Sequence, residues 1–150
     1  MPPRLRLITA QARPNVNPTF KKDHFLEPVP IGDTADEGYQ DKWVIYGKVD
    51  GQDLFSAKEL TVQPGVKTLV NDNGASGLIV VQGRGKIGPY DAEAASYVRY
   101  NELTWDEYFV TEEAARNGFM VENIGHEPLV VLRYFGPGVS PDMPEVGAYK

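Results

Sequence analysis

The chain has 150 residues, 41% hydrophobic and 24% charged, with a formal net charge of −6. That length suits one ordinary domain with a real core, and the acidic balance argues against a broad nucleic-acid-binding face, which needs clustered Lys and Arg. There is no cysteine, and the only histidines are His24 and His126. Disulfides, thiolate metal sites, cysteine nucleophiles and a three-histidine metal centre are thereby excluded within the chain.

Residues 1–42 read as an irregular N-terminal arm or linker. Pro14, Pro18, Pro28 and Pro30 forbid long helices, and the run from Gly32 to Gly38 is polar and acidic. RLRLI, from Arg4 to Ile8, alternates like a short strand. It suits adding a strand to a neighbour's sheet, which would make a homodimer, and equally suits wrapping the surface. No apolar run approaches the roughly 18 residues of a membrane span, and the first residues lack the apolar centre of a secretory signal. A cytoplasmic protein without membrane or nucleic-acid partners is expected.

From Trp43 the character changes. KWVIYGKV, LFSAKELTV, TLV, LIVVQG, KIG, SYVRY, EYFV, FMVEN and LVVLRYFG follow one another, each short, β-branched or aromatic, and bounded by turn residues. Asp50-Gly51 is a hairpin signal, because its turn wants positive φ. AEAA and TEEAARNG suggest helix but are short. QGRGKIG is read as a tight turn, since no helix follows to aim amides at a phosphate. Residues 43–138 are therefore expected to form one all-β domain, a sandwich or antiparallel jelly-roll β-barrel. Residues 139–150 are expected as an extended tail.

The stretch from Pro64 to Gly85, PGVKTLVNDNGASGLIVVQGRG, has a Pro-Gly corner, a short strand, a polar loop and a second apolar strand. With FMVEN and the IGHEPLVVLRYFGP ending, it resembles the cupin superfamily from about Phe55 to Pro137. The first cupin motif runs Gly, two histidines two apart, an acid, then Gly. Gly65, Asn71, Asn73, Gly77 and Gly83 stand at those steps. In the second motif a histidine precedes an Asn by four, and Phe119 and Asn123 stand there. The resemblance implies a cupin-like barrel. Asn, Gly and Phe at the four ligand places are poor partners for a transition metal, which wants imidazole plus carboxylate, so no metal and no cofactor are expected. Asp72, Glu107 and Glu122 are the acids that could rebuild a site from oxygen ligands.

If Gly77 takes the acid's inward place, Ile79 and Val81 share its face and Leu78, Val80 and Gln82 take the other; if Phe119 points in, so does Val121. Asn71, Asn73, Gln82 and Phe119 are the candidate ligand-binding residues, the amides for hydroxyl groups and the ring for stacking on a sugar. Lys58 and Glu107 are the weak catalytic candidates, with Tyr46 or Tyr108 as further acids or bases. Lys58 more commonly would face water; Arg99 and Arg133 more commonly would lie on an outer face. His126 reads as a solvated turn residue, and His24 lies in the arm. The resemblance favours a small hydroxylated ligand, a carbohydrate or sugar phosphate, with sugar isomerase or epimerase chemistry as one outcome. The other reading is a non-catalytic binding or dimerisation module, or one barrel of a two-barrel protein.

Overall fold

The computed structural model describes residues 25–146. Among these described residues ten strands form two antiparallel sheets. The strands are β1 (Val29–Ile31), β2 (Tyr39–Ile45), β3 (Ser56–Val62), β4 (Lys67–Val70), β5 (Ser76–Gln82), β6 (Arg84–Ile87), β7 (Tyr90–Glu93), β8 (Glu107–Val110), β9 (Phe119–Asn123) and β10 (Leu129–Phe135), with one short helix, α1 (Glu112–Asn117). The larger sheet has the order β1-β2-β3-β10-β5-β8 and the smaller β4-β9-β6-β7. The expectation of an all-β antiparallel jelly roll holds.

The register of β3, β10 and β5 stacks inward side chains in rows. Ser56, Phe135 and Ser76 lie across from one another; Lys58, Arg133 and Leu78 form the next row, and Leu60, Val131 and Val80 the third. Val62 and Leu129 close the far end. These residues are buried, and Leu60, Val62, Leu78, Val80, Leu129 and Val131 join Val70, Ile87, Ala92 and Val121 of the smaller sheet in one core cluster. Each fully buried Leu or Val contributes about 1.5–3 kcal/mol relative to exposure. Between the sheets Asn123 holds three groups together. Its Nδ2 donates to the carbonyls of Val62 and Glu127, both at 2.8 Å, and its Oδ1 accepts from the Gly125 amide at 2.8 Å. With the Glu127 carbonyl and the Gly125 amide, Asn123 holds its own turn.

Several expectations need correction. Residues 1–42 are not an irregular arm throughout: β1 and most of β2 lie before Trp43 and pair into the larger sheet. Residue Val29 is buried against Trp43 and Tyr46, so apolar packing overrides the Pro-rich composition. Residues 1–24, with RLRLI and His24, lie outside the described residues. SYVRY is not a strand. Ala95–Tyr97 is a 3-10 turn, and Arg99 is tied to Glu93 and Glu102, each at 3.0 Å. Most of AEAA is likewise not helical, because Tyr90–Glu93 pairs with β6. TEEAARNG does form α1, whose first turn is capped by the Thr111 hydroxyl accepting from the Ala114 amide at 3.3 Å. The Asp50-Gly51 hairpin does form: both residues have positive φ, the Val49–Gln52 bridge closes the turn, and the flanking β2 and β3 pair antiparallel. QGRGKIG turns the chain from one sheet to the other at Gly83, where φ is +78° and a Cβ would lie 2.6 Å from the Pro128 carbonyl.

Candidate functional site

The two ends of the barrel carry different chemistry. At the end where β3 and β5 begin and β10 finishes, charge is buried in the core. Lys58 and Arg133 stand directly opposite on β3 and β10. The loop between β4 and β5 brings Asp72 between them. Lys58 Nζ donates to Asp72 Oδ1 at 3.1 Å, and Arg133 donates to Asp72 Oδ2 at 2.6 Å and to Asp41 on β2. Both side chains of the Arg133–Asp72 pair are 1% exposed, whereas Asp41 is 20% exposed. The Lys58 ammonium also lies 4.6 Å from the Trp43 ring centre and 5.4 Å from that of Phe135, a cation–π arrangement. Lys58 and Arg133 thus point inward, against the commoner outward placement, because two carboxylates come with them.

The inward face of β5 is the reverse of the one read from sequence. Ser76, Leu78 and Val80 are buried in the core, while Ile79 is half-buried and Val81 exposed. A one-residue slip moves a whole strand's side chains to the other face. Gly77 lies on the outer face under Tyr134, whose ring a Cβ would meet at 2.0 Å. Asp72 turns in, and Asn71 and Asn73 are exposed. Asn71 donates to the Arg116 carbonyl at 3.3 Å and Asn73 to Asp142 at 3.4 Å. Phe119 is half-buried against the core, and Val121 is buried on the same face of β9.

This donor set does not fit a cupin metal. Asp72, the one carboxylate among the inward residues of the β4–β5 turn, is already held by two cations. Among the described residues no group of three His, Cys, Asp or Glu side chains could hold a metal ion. Lys58 and Glu107 are not brought together either. Glu107 is exposed on β8 opposite Ile79, on the outer face. Glu122 is opposite Lys67 and Lys86, also facing out. Tyr46 is buried with its hydroxyl donating to the Glu27 carbonyl at 2.7 Å. Burial pushes the Tyr108 phenol up, with the Asp91 and Asp106 charges adding to it.

At the opposite end, where β5 finishes and β10 begins, an open cleft of about 430 Å³ is lined by Arg84, Tyr97, His126 and Glu127. The Tyr97 hydroxyl donates to Glu127, and Gln82 donates to the other Glu127 oxygen at 3.4 Å. The hydrogen bond to Glu127 holds the Tyr97 phenol above its ordinary value, with desolvation and the Glu127 charge reinforcing it and the Arg84 charge opposing it. Glu127 is engaged by Tyr97 and Gln82, which leaves Arg84 and His126, both exposed, facing the cleft. The Arg84 stem runs over Gly125, where a Cβ would lie 3.3 Å from Arg84 Cγ. Of the candidates read from sequence only Gln82 falls here; Asn71, Asn73 and Phe119 lie toward the other end. Arg84, Tyr97 and Glu127 carried no motif, since they come from three separate segments.

Comparison with solved structures places this architecture. It matches an RmlC-like cupin protein from Ralstonia eutropha with TM-score 0.50 and 12% identity, over 75% of this chain and 64% of that one. The fold is a cupin fold. A chain of the Rhodobacter sphaeroides complex of SigE with the anti-sigma ChrR matches this cupin fold with TM-score 0.51 and 15% identity, over 87% of this chain and 64% of that one. A cupin-2 domain from Rhodospirillum rubrum matches with TM-score 0.48 and 13% identity, over 74% and 69%. The chain spans less than two thirds of the first two of these structures. No protein-family model matches the sequence, and none of the curated proteins matches it. No helix among the described residues is long and apolar enough to cross a membrane.

Proposed function

We propose that this cupin-fold protein binds a small hydroxylated molecule, a sugar or sugar phosphate, in the cleft of Gln82, Arg84, Tyr97, His126 and Glu127. The observation that carries this reading is the convergence of these polar groups on an open concave surface, while the barrel interior is filled by the apolar core and the enclosed Lys58–Asp72–Arg133 cluster. Arg84 and His126 supply N–H donors for a phosphate. Glu127 and Gln82 supply partners for hydroxyls, and the Tyr97 ring an apolar face for a sugar. The proposal is binding without turnover, since Lys58 is enclosed and Glu107 lies on another face.

A thermal-shift screen with monosaccharides and their phosphates tests it. A ligand at a hundred times its dissociation constant adds about 2.7 kcal/mol of stability, and Arg84→Ala is expected to abolish the response to the phosphates. No shift with any member of the set would end the carbohydrate reading. A second reading, a dimerisation module, draws on Phe55, Val81, Phe109 and Tyr134, which are exposed apolar residues. Sedimentation velocity on the same samples separates the two.

A further inference from the structure

The segment from Gly136 to Val146 follows β10 without forming a strand, yet it returns over the charged end of the barrel. The Ser56 hydroxyl donates to Ser140 Oγ at 2.9 Å; both are buried, and Ser56 precedes Lys58 by two on the inward face of β3. Val139 packs on Gly74 and Asp142 accepts from Asn73, so the segment also grips the loop that carries Asp72. Met143 packs on the cluster containing Trp43, the ring over Lys58. The Gly138 amide reaches Asp53 at 3.2 Å. Apart from Ser140 these residues are exposed or half-buried. A segment tied by so few, mostly exposed contacts is drawn from the low-stability end of a fold.

Beneath it lies a surplus of donors. Arg133 is 1% exposed and Ser76 is 2% exposed, and among the described residues the Arg133 Nε and Ser76 Oγ atoms have no hydrogen-bond partner; the other unpaired buried side-chain atom, the acceptor Asp53 Oδ1, belongs to the carboxylate held by the Gly138 amide. Lys58 has three N–H donors, of which Asp72 takes one. Buried polar groups are ordinarily paired, so such a surplus points to an absent acceptor. Two cations and two carboxylates make the cluster neutral, but Asp41 is its one carboxylate with appreciable exposure. An incoming anion that takes the place of Asp41 on Arg133 keeps that neutrality.

We propose that residues 136–146 are a releasable strap, and that beneath it Lys58, Arg133 and Ser76 form a site for a small oxyanion, carboxylate or phosphate. Opening the strap is the toll on binding, because affinity falls by the fraction of molecules that are open. The proposal does not depend on the cleft at the other end.

Trp43 is the built-in reporter. In a Trp105→Phe background, sodium acetate and inorganic phosphate are titrated separately against Trp43 emission, with sodium chloride at matched ionic strength as the control. A saturable change with acetate alone marks a carboxylate site, and with phosphate alone a phosphate site. Ser140→Ala with Met143→Ala loosens the strap and is expected to lower the half-saturating concentration roughly threefold or more. Lys58→Met is expected to remove the response. Hydrogen exchange on the unaltered protein gives a reading independent of any variant: amides of 136–146 exchange faster than those of β10, and the anion slows them. No saturable change with either anion, or exchange of the strap as slow as that of β10, would overturn the proposal.

Discussion

The two ends of one barrel solve the same problem in opposite ways. Both bring charged groups together where strands finish. At the Lys58 end the charges are buried, balanced and roofed by the strap. At the Arg84 end one carboxylate is engaged by neutral donors, and the guanidinium is left to solvent. Burial decides the difference. A charge taken from water needs a partner at hydrogen-bond distance, and Asp72 supplies it to Lys58 and Arg133 at once. An exposed guanidinium has no such need, so Arg84 is free to face a ligand.

The largest expected effect follows from removing that shared partner. Asp72→Ala leaves two buried cations facing each other across β3 and β10 and is expected to cost about 3–5 kcal/mol, measured by urea unfolding. Lys58→Met added to it recovers part of the loss, because the side chain already lies between Trp43 and Phe135. Arg84→Ala at the other end stays within about 0.5 kcal/mol. Equal costs at the two ends would erase the contrast drawn between them.

A smaller effect tests which face of β5 is inside. Leu78→Ala removes a fully buried side chain and is expected to cost about 2–5 kcal/mol. Ile79→Ala, on the outer face, is expected to cost about 1 kcal/mol or less. The reverse order would restore the register read from sequence. That reading went astray for a physical reason. LIVV offers apolar side chains on both faces, so alternation carries no signal there, and Gly77 was assigned by motif spacing. Its smallness serves Tyr134 on the outside instead.

The fold was legible because turn and strand chemistry is local. Gly65, with φ of +78°, Asn123 with its own turn and the run of short β-branched segments were enough. The sites were not. Lys58, Asp72 and Arg133 come from three segments, and only tertiary register shows that Lys58 and Arg133 are paired. An inward Lys on β3 and an inward Arg on β10 each look improbable alone; together with Asp72 they are a neutral unit. Asp72, sitting between Asn71 and Asn73 in a turn sequence, reads from sequence only as a spare acid. The strap was equally hidden. GPGVSPDMPE has the composition of a free tail, and its anchoring rests on Ser140 and Met143 meeting residues far away in the chain.

The smallest effect sharpens the open end. Glu127 holds the Tyr97 proton, and the folded phenol is raised above its unfolded value. A raised acid stabilises the fold while it stays protonated. The contribution is therefore complete below the ordinary tyrosine value near 10, and it fades as pH climbs through the raised one. Tyr97→Phe removes the bond at every pH. The gap between wild type and Tyr97→Phe should be constant from neutral pH to about 10 and shrink above it, followed by phenolate absorbance and thermal unfolding. Since Tyr97 is at the surface, the gap at neutral pH is expected to be small. A Tyr97 that ionises at or below the ordinary value would mean that Glu127 is not its partner.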